Sequence, residues 1–236
     1  MSDDRWTRIS DLLADASRGD RLGDRIVRVG NDLLGAPRSS LSLVVRGAAS
    51  TISSTDPLAH DLVEQQFLIG EGPSFDASTA DAPVVADDLA HATARVRWPT
   101  FAETALANGV HAAHAFPLRV GAARLGILTS FRPRAGALTS DEFADGLVLS
   151  SAATLLLLTE QAAQPTGAAA ESFRPGLDAQ GLVQRAAGMT SEQLGISIVD
   201  ALSLIRGRAF ATDTTVLDVA AQIVRRELSL EEGEST

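Results

Sequence analysis

Cysteine is absent from the 236 residues. Disulfides, thiolate metal sites, cysteine nucleophiles and thioether-linked chromophores are thereby excluded by chemistry. Lysine is absent as well, so all 20 cations are arginine. The base composition of a GC-rich genome explains that bias, although a planar guanidinium also suits phosphates and base edges. Aromatic residues amount to 4%. Long apolar runs are missing too: the longest, Ala152 to Leu158, falls far short of the roughly 20 residues of a membrane span and reads as a buried or interface helix. The N-terminus, Met1-Ser2-Asp3-Asp4-Arg5, lacks the basic stretch and apolar run of an export signal. A cytoplasmic protein with no membrane partner is expected.

What is present fits two unequal domains: 45% hydrophobic and 21% charged residues make an ordinary water-soluble composition. The net charge of −10 argues against indiscriminate binding to nucleic acid, because that affinity comes from cations meeting phosphates. Any such contact has to be local.

The segment from Leu177 to Leu230 reads as three short amphipathic helices. Gly195 suits a left-handed helix end, and Ser197 offers an oxygen to the free amides of the next helix. Ile198, Leu202, Ile205 and Ala209 fall on one helical face and leave Arg206 and Arg208 off it. Asp213-Thr214-Thr215 is turn and cap chemistry, and Thr215 with Asp218 has the spacing of a capping box. The third helix then starts at Val216 with an apolar stripe of Val216, Val219, Ala220, Ile223 and Val224, while Gln222, Arg225 and Arg226 face elsewhere. Over 177–230 five arginines face six carboxylates. So small a bundle buries little apolar area and is expected to lean on a partner, most simply in a homodimer.

The preceding part alternates in type. Residues 1–35 carry two helical patterns either side of Gly19-Asp20, and Leu41–Val45 with Thr51–Ser53 reads as a hairpin joined at Gly47-Ala48. Pro83–Ala86 is a further strand, Trp98–Asn108 a helix stopping at Gly109, His111–Val120 and Arg124–Phe131 a strand pair, and Asp141–Gln161 a long helix. Helices on an antiparallel sheet, an α+β domain, follow from that order. Residues 162–176 have linker composition and 231–236 form a tail, which gives domains 1–161 and 177–230.

Candidate chemistry is sparse. His111 and His114, the only close histidine pair, would point to opposite faces of a strand and not converge on a metal. His91 has no neighbouring feature that marks a haem ligand. Glu71, Asp76, Asp87 and Asp88 sit near turns as solvated carboxylates. Gly70-Glu71-Gly72 lacks the third glycine and the basic residue of a phosphate loop. No metal, cofactor or enzymatic activity is expected. Phe67, Trp98, Phe101 and Phe116 are core aromatics by default and candidates for lining a small-molecule cavity.

Two resemblances extend this reading. The strings Gln66–Pro73, Arg95–Pro99, Ala115–Val120 and Leu125–Leu128 resemble the GAF fold. In the C-terminal segment Ala186, Gly188, Ala201, Ile205, Arg206, Ala209, Leu217, Val219 and Ala220 match the ANTAR domain. Together they resemble actinobacterial proteins that join a GAF domain to an ANTAR domain, over nearly the whole chain. The resemblance implies a cytoplasmic, dimeric transcription antitermination regulator whose GAF half senses a signal and whose ANTAR half binds paired RNA stem-loops. It implies RNA contact at Arg185, Ala186, Ala187, Gly188, Arg206, Arg208 and Ala209. This chain has Ala187 where many ANTAR domains carry a basic residue, and Ser74 where relatives often place cysteine. The methionine sulfoxide reductases among GAF proteins depend on cysteine, so that chemistry is excluded here. The alternative is a small-molecule or redox sensor signalling by protein contacts, with the helical segment as a dimerisation or DNA-binding unit.

Overall fold

Strands β1 (Arg38–Val45) and β2 (Ala48–Ser54) pair antiparallel, as the alternating pattern predicts, and β1 continues into a larger sheet. The structure is a computed structural model. It describes residues 2–14, 21–45, 48–80, 82–121, 123–163, 174–212 and 214–230, and the chain divides into two compact units, Met1–Phe173 and Arg174–Thr236. Gly19-Asp20, Gly47, Asp213 and the 231–236 tail lie outside the described residues.

In the first unit, helices α1 (Ser2–Ala14) and α2 (Leu22–Leu33) precede the hairpin. Then follow α3 (Pro57–Ile69), α4 (Pro73–Ala80), β3 (Val84–Ala86), α5 (Ala92–Arg97), α6 (Pro99–Ala107), β4 (Ala112–Val120), β5 (Ala123–Arg132) and α7 (Ser140–Ala163). The sheet is five-stranded in the order β2-β1-β5-β4-β3, with every pair antiparallel. Helices α3 and α4 fill the stretch between the hairpin and β3, and α5 precedes the helix expected over Trp98–Asn108. Gly70 at φ 69° ends α3, and Pro73 opens α4 three residues later. Pro99 stops α5, because the residue before a proline, here Trp98 at φ −137° and ψ 65°, is driven out of the helical region.

Strand alternation sorts the two sheet faces. Leu41, Leu118 and Leu128 join Ile9, Leu13, Ile26, Val29, Leu149, Ala152 and Ala153 in one core under α1, α2 and α7. Thr129, the neighbour of Leu128, faces the other way and meets Ser74 of α4. Helix α7 is long and apolar enough to cross a bilayer, with mean hydropathy 1.4 over Ser140–Glu160. Its buried Leu149, Ala152 and Ala153 are nonetheless spent on this core. Its start is a capping box missed in the sequence: Thr139 N donates to Glu142 Oε2 at 2.7 Å, and Glu142 N donates to Thr139 Oγ1 at 3.2 Å.

The second unit holds α8 (Arg174–Leu194), α9 (Ile198–Ala211) and α10 (Val216–Val224). The segment read as a linker, 162–176, is helical at both ends, Ala162 and Ala163 in α7 and Arg174 to Gly176 in α8, with a proline tolerated in a first helical turn. Residues 164–173 lie outside the described set. Gly195 adopts φ 67°, Asp200 N donates to Ser197 Oγ at 3.1 Å, and Thr215 with Asp218 forms the reciprocal capping box. Ile198 is a correction: as the first helical residue it is 52% exposed, and Ala201 is buried instead.

Candidate functional site

On the sheet face served by α3 and α4, polar side chains are buried and satisfied by one another. Ser74 Oγ lies 2.9 Å from Thr129 Oγ1. Gln66 accepts from Ser74 N at 2.7 Å and donates to Leu62 O at 3.1 Å. Ser42 Oγ lies 3.0 Å from Thr51 Oγ1. Each hydroxyl repeats what water would otherwise provide, which makes its burial tolerable. The Gly70–Pro73 loop packs directly on this network: Gly72 is at φ 113°, and a Cβ there would collide with the Gln66 side chain. Gly72 therefore serves close packing, and Gly70 the left-handed end of α3.

Glu71 binds the start of α6. Its Oε2 accepts from Thr100 N at 3.0 Å and Phe101 N at 3.4 Å, a carboxylate at the positive end of a helix. Asp76 Oδ2 accepts from Trp98 Nε1 at 3.0 Å and pairs with Arg97 at 2.6 Å, while Arg97 stacks 4.7 Å above the Trp98 ring. Asp88 accepts from Ala90 N at 2.8 Å. Glu71, Asp76 and Asp88 thus act as caps and ties, a correction to their reading as solvated carboxylates. His91 caps α5 by accepting from Thr93 N at 3.3 Å. Among the described residues no group of three or more histidines and carboxylates is arranged for a metal.

The candidate cavity aromatics separate into two sets. Phe67 meets Phe75 of α4 edge-on at 6.1 Å, Trp98 is tied to Asp76 of the same helix, and Phe101 is fully buried beside Glu71. Phe116 is a correction. It pairs with Leu128 across β4 and β5, so alternation sends it to the α7 face, where it packs with Leu34, Ala36 and Phe143. It cannot line a cavity on the α3 and α4 side. The Ser74, Thr129 and Gln66 network, absent from the sequence-derived candidates, occupies that side, and its one sequence signal was Ser74 directly following Gly-Glu-Gly-Pro.

In the helical unit Ala186, Ala187 and Ala209 are also corrections. They are 0%, 0% and 4% exposed, and with Val183, Ala201, Ile205, Val219, Ala220 and Ile223 they supply the buried small and apolar residues of the three helices. Alanine there permits close helix approach, and its methyl does not reach the surface. Most of the matched motif is therefore packing. Arg185 and Arg208 are exposed and Arg206 is half-buried. Arg185 Nε donates to Gly181 O at 3.3 Å. A Cβ on Gly188 would meet nothing within 4 Å. Arg225 and Arg226, left out of the sequence-derived site, are exposed after α10, Arg226 at φ 61°. Among the described residues none of Arg185, Arg208, Arg225 and Arg226 pairs with a carboxylate.

Comparison with known proteins adds the fold. No family model matches the chain, and no curated protein matches it. Among solved structures, the chain is similar to the free methionine-R-sulfoxide reductase of Neisseria meningitidis in complex with its substrate, at 14% identity and TM-score 0.51, covering 69% of this chain and 92% of that one. It is also similar to the chromophore-binding domain of the bacteriophytochrome RpBphP3 from R. palustris, at 11% identity and TM-score 0.50, covering 68% of this chain and 62% of that one. A GAF domain from an Acinetobacter phosphoenolpyruvate-protein phosphotransferase matches at 10% identity and TM-score 0.49, covering 69% and 96%. At such identities the likeness speaks to fold alone, and the sheet-bearing unit shares with the first two structures an α+β fold: an antiparallel five-stranded sheet with helices on it.

Proposed function

We propose that this protein is a sensory regulator that binds structured RNA and prevents premature transcription termination, with a GAF-like unit receiving the signal and the three-helix unit contacting paired stem-loops. The observation that carries the reading is the set of exposed arginines on the helical unit, Arg185, Arg208, Arg225 and Arg226, none paired with a carboxylate among the described residues. In a chain of net charge −10, such arginines keep their charge available for phosphate. Gly188, with open space at its Cβ position, lets a backbone approach closely. Arg206, Arg185 and Arg208 are the cationic members of the site, and Gly188 is its small member.

The protein acts by binding and not by catalysis, inside the cytoplasm and as a homodimer whose two helical units meet two adjacent hairpins. Exposed Leu147, Leu155 and Leu156 on α7 support a second copy as partner. A small molecule for the sensory unit would be received on the α3 and α4 side, near Phe67, Trp98 and Phe101. Titration of the full-length protein with a twin-hairpin RNA and with duplex DNA of equal length tests the reading. Preference for the RNA is expected. Preference for the duplex would overturn it in favour of a DNA-binding output.

A further inference from the structure

His114 is a fully buried imidazole, and the caps and ties described above make no use of it. It lies on the α7 face of β4, opposite Ser130 of β5, whose Oγ is 3.4 Å from its Nδ1. Among the described residues its Nε2 has no hydrogen-bond partner, and a carboxylate oxygen, Asp87 Oδ1 after β3, is 3.7 Å away. Two residues beyond Ser130 on the same strand face stands Arg132. Its Nη2 pairs with Glu142 Oε1 of α7 at 2.5 Å, and its Nε donates to Leu34 O, at the end of α2, at 2.9 Å, with Nη2 on the same carbonyl. Glu142 is also half of the capping box that starts α7. One guanidinium therefore ties the end of α2 and the first turn of α7 to the sheet, from the strand next to the imidazole's and on the same face.

We propose that His114, Arg132 and Glu142 form an acid-sensitive latch on the first turn of α7, which opens when the buried imidazole takes up a proton. Two physical reasons make the closed latch and the imidazolium incompatible. A second cation, itself buried, would come near Arg132. The imidazolium's Nε2 proton also needs an acceptor, and Asp87 Oδ1, at 3.7 Å, stands beyond hydrogen-bond distance. Protonation thus adds a second buried cation and an unsatisfied donor near the guanidinium that holds Leu34 O and Glu142. The charged groups facing the imidazole are Arg132 from β5, Glu142 from α7 and Asp87 from the end of β3.

Burial first, and then Arg132, lower the pKa of His114 from 6.5 to about 4, against a smaller opposing effect of Glu142. Opening that exposes the imidazole to solvent returns its pKa toward 6.5. The sign follows: the closed latch is fully stable above 6.5, weakens about tenfold per pH unit below that, and levels off near 4. The open-to-closed ratio rises by up to about 300-fold across that window. Glu142 is shifted downward as well. Desolvation works to raise its pKa, but the amide and hydroxyl of Thr139 and the guanidinium of Arg132 outweigh it and hold the carboxyl below 4.5. The inference does not depend on RNA binding.

The test uses the full-length protein, with amide exchange at residues 140–143 corrected for intrinsic rates between pH 7 and 4 and with the His114 ring followed by NMR. Protection is expected to fall by up to about 300-fold in the native protein and to stay flat in His114→Gln. An equal fall in His114→Gln would assign the effect to Glu142 and overturn the proposal, as would an imidazole titrating at its ordinary value. Should His114→Gln not fold, Arg132→Gln decides. Loss of the neighbouring cation must move the His114 midpoint upward, and an unmoved midpoint overturns the latch.

Discussion

The indole Nε1 of Trp98 donates to Asp76 Oδ2 across 3.0 Å, and this bond ties the junction of α5 and α6 to α4. Trp98 is 3% exposed, so a phenylalanine there fills much of the space but leaves the carboxylate with Arg97 alone. Trp98→Phe is expected to lower the stability of the first unit by about 1–3 kcal/mol, the cost of a missing bond to a charged acceptor and some missing volume. Both tryptophans, Trp6 and Trp98, belong to that unit. The fluorescence of Trp6 in a denaturant titration therefore follows the right transition in the variant. An unchanged midpoint would mean that the junction is held elsewhere.

The hydroxyls of Ser74 and Thr129, 2.9 Å apart and both buried, satisfy each other. Removing one leaves the other unpaired. Ser74→Ala and Thr129→Val are each expected to cost about 1–2 kcal/mol, and the double variant less than their sum, because it strands no donor. A coupling of roughly 1 kcal/mol in the double-mutant cycle is the expected outcome. Strict additivity would show that the two hydroxyls do not depend on one another.

Gly146 faces the ring of Phe116 so closely that a Cβ would collide with three of its carbons. In an open helix interior, glycine to alanine is stabilising by about 1 kcal/mol. Here the overlap reverses the sign. Gly146→Ala is expected to destabilise the first unit by about 1–3 kcal/mol, and Phe116→Leu in the same chain to recover part of the loss. Thermal unfolding followed by tryptophan fluorescence checks both changes.

Elements with local causes were legible in the sequence. The capping box at Thr215 and Asp218, the left-handed Gly195 and the β1–β2 hairpin each depend on residues a few positions apart. Thr139 and Glu142 have the same capping-box spacing and were there to be read. What could not be read depends on pairing between distant residues. Phe116 joins the α7 face only because its partner across the sheet is Leu128. Ser74 becomes a core residue only because Thr129, 55 positions on, meets it. In the helical unit the motif's alanines gave the right helices but the wrong role, since a small residue suits an interface with RNA and an interface with another helix equally well. Burial of Ala186, Ala187 and Ala209 decides for the second.

Gly188 and Arg208 separate folding from binding. Gly188 lies within α8 with nothing within 4 Å of its Cβ position, so Gly188→Ala is expected to stabilise that helix by up to about 1 kcal/mol, seen as slower amide exchange at Ala186 and Ala187. On the proposed function the same methyl weakens RNA binding, because it stands where the nucleic acid approaches. Arg208→Gln removes an exposed cation without a carboxylate partner among the described residues, and is expected to leave stability within about 0.5 kcal/mol. Its effect on binding is electrostatic. The slope of log affinity against log salt for the twin hairpin should fall by roughly 0.7–0.9 for each phosphate that the variant no longer neutralises. Tighter folding with weaker binding in the first variant, and a shallower slope in the second, are outcomes that a purely structural role for these residues does not produce. If both variants bound RNA with native affinity and native salt dependence, the nucleic acid would have to be held by a different face of the helical unit.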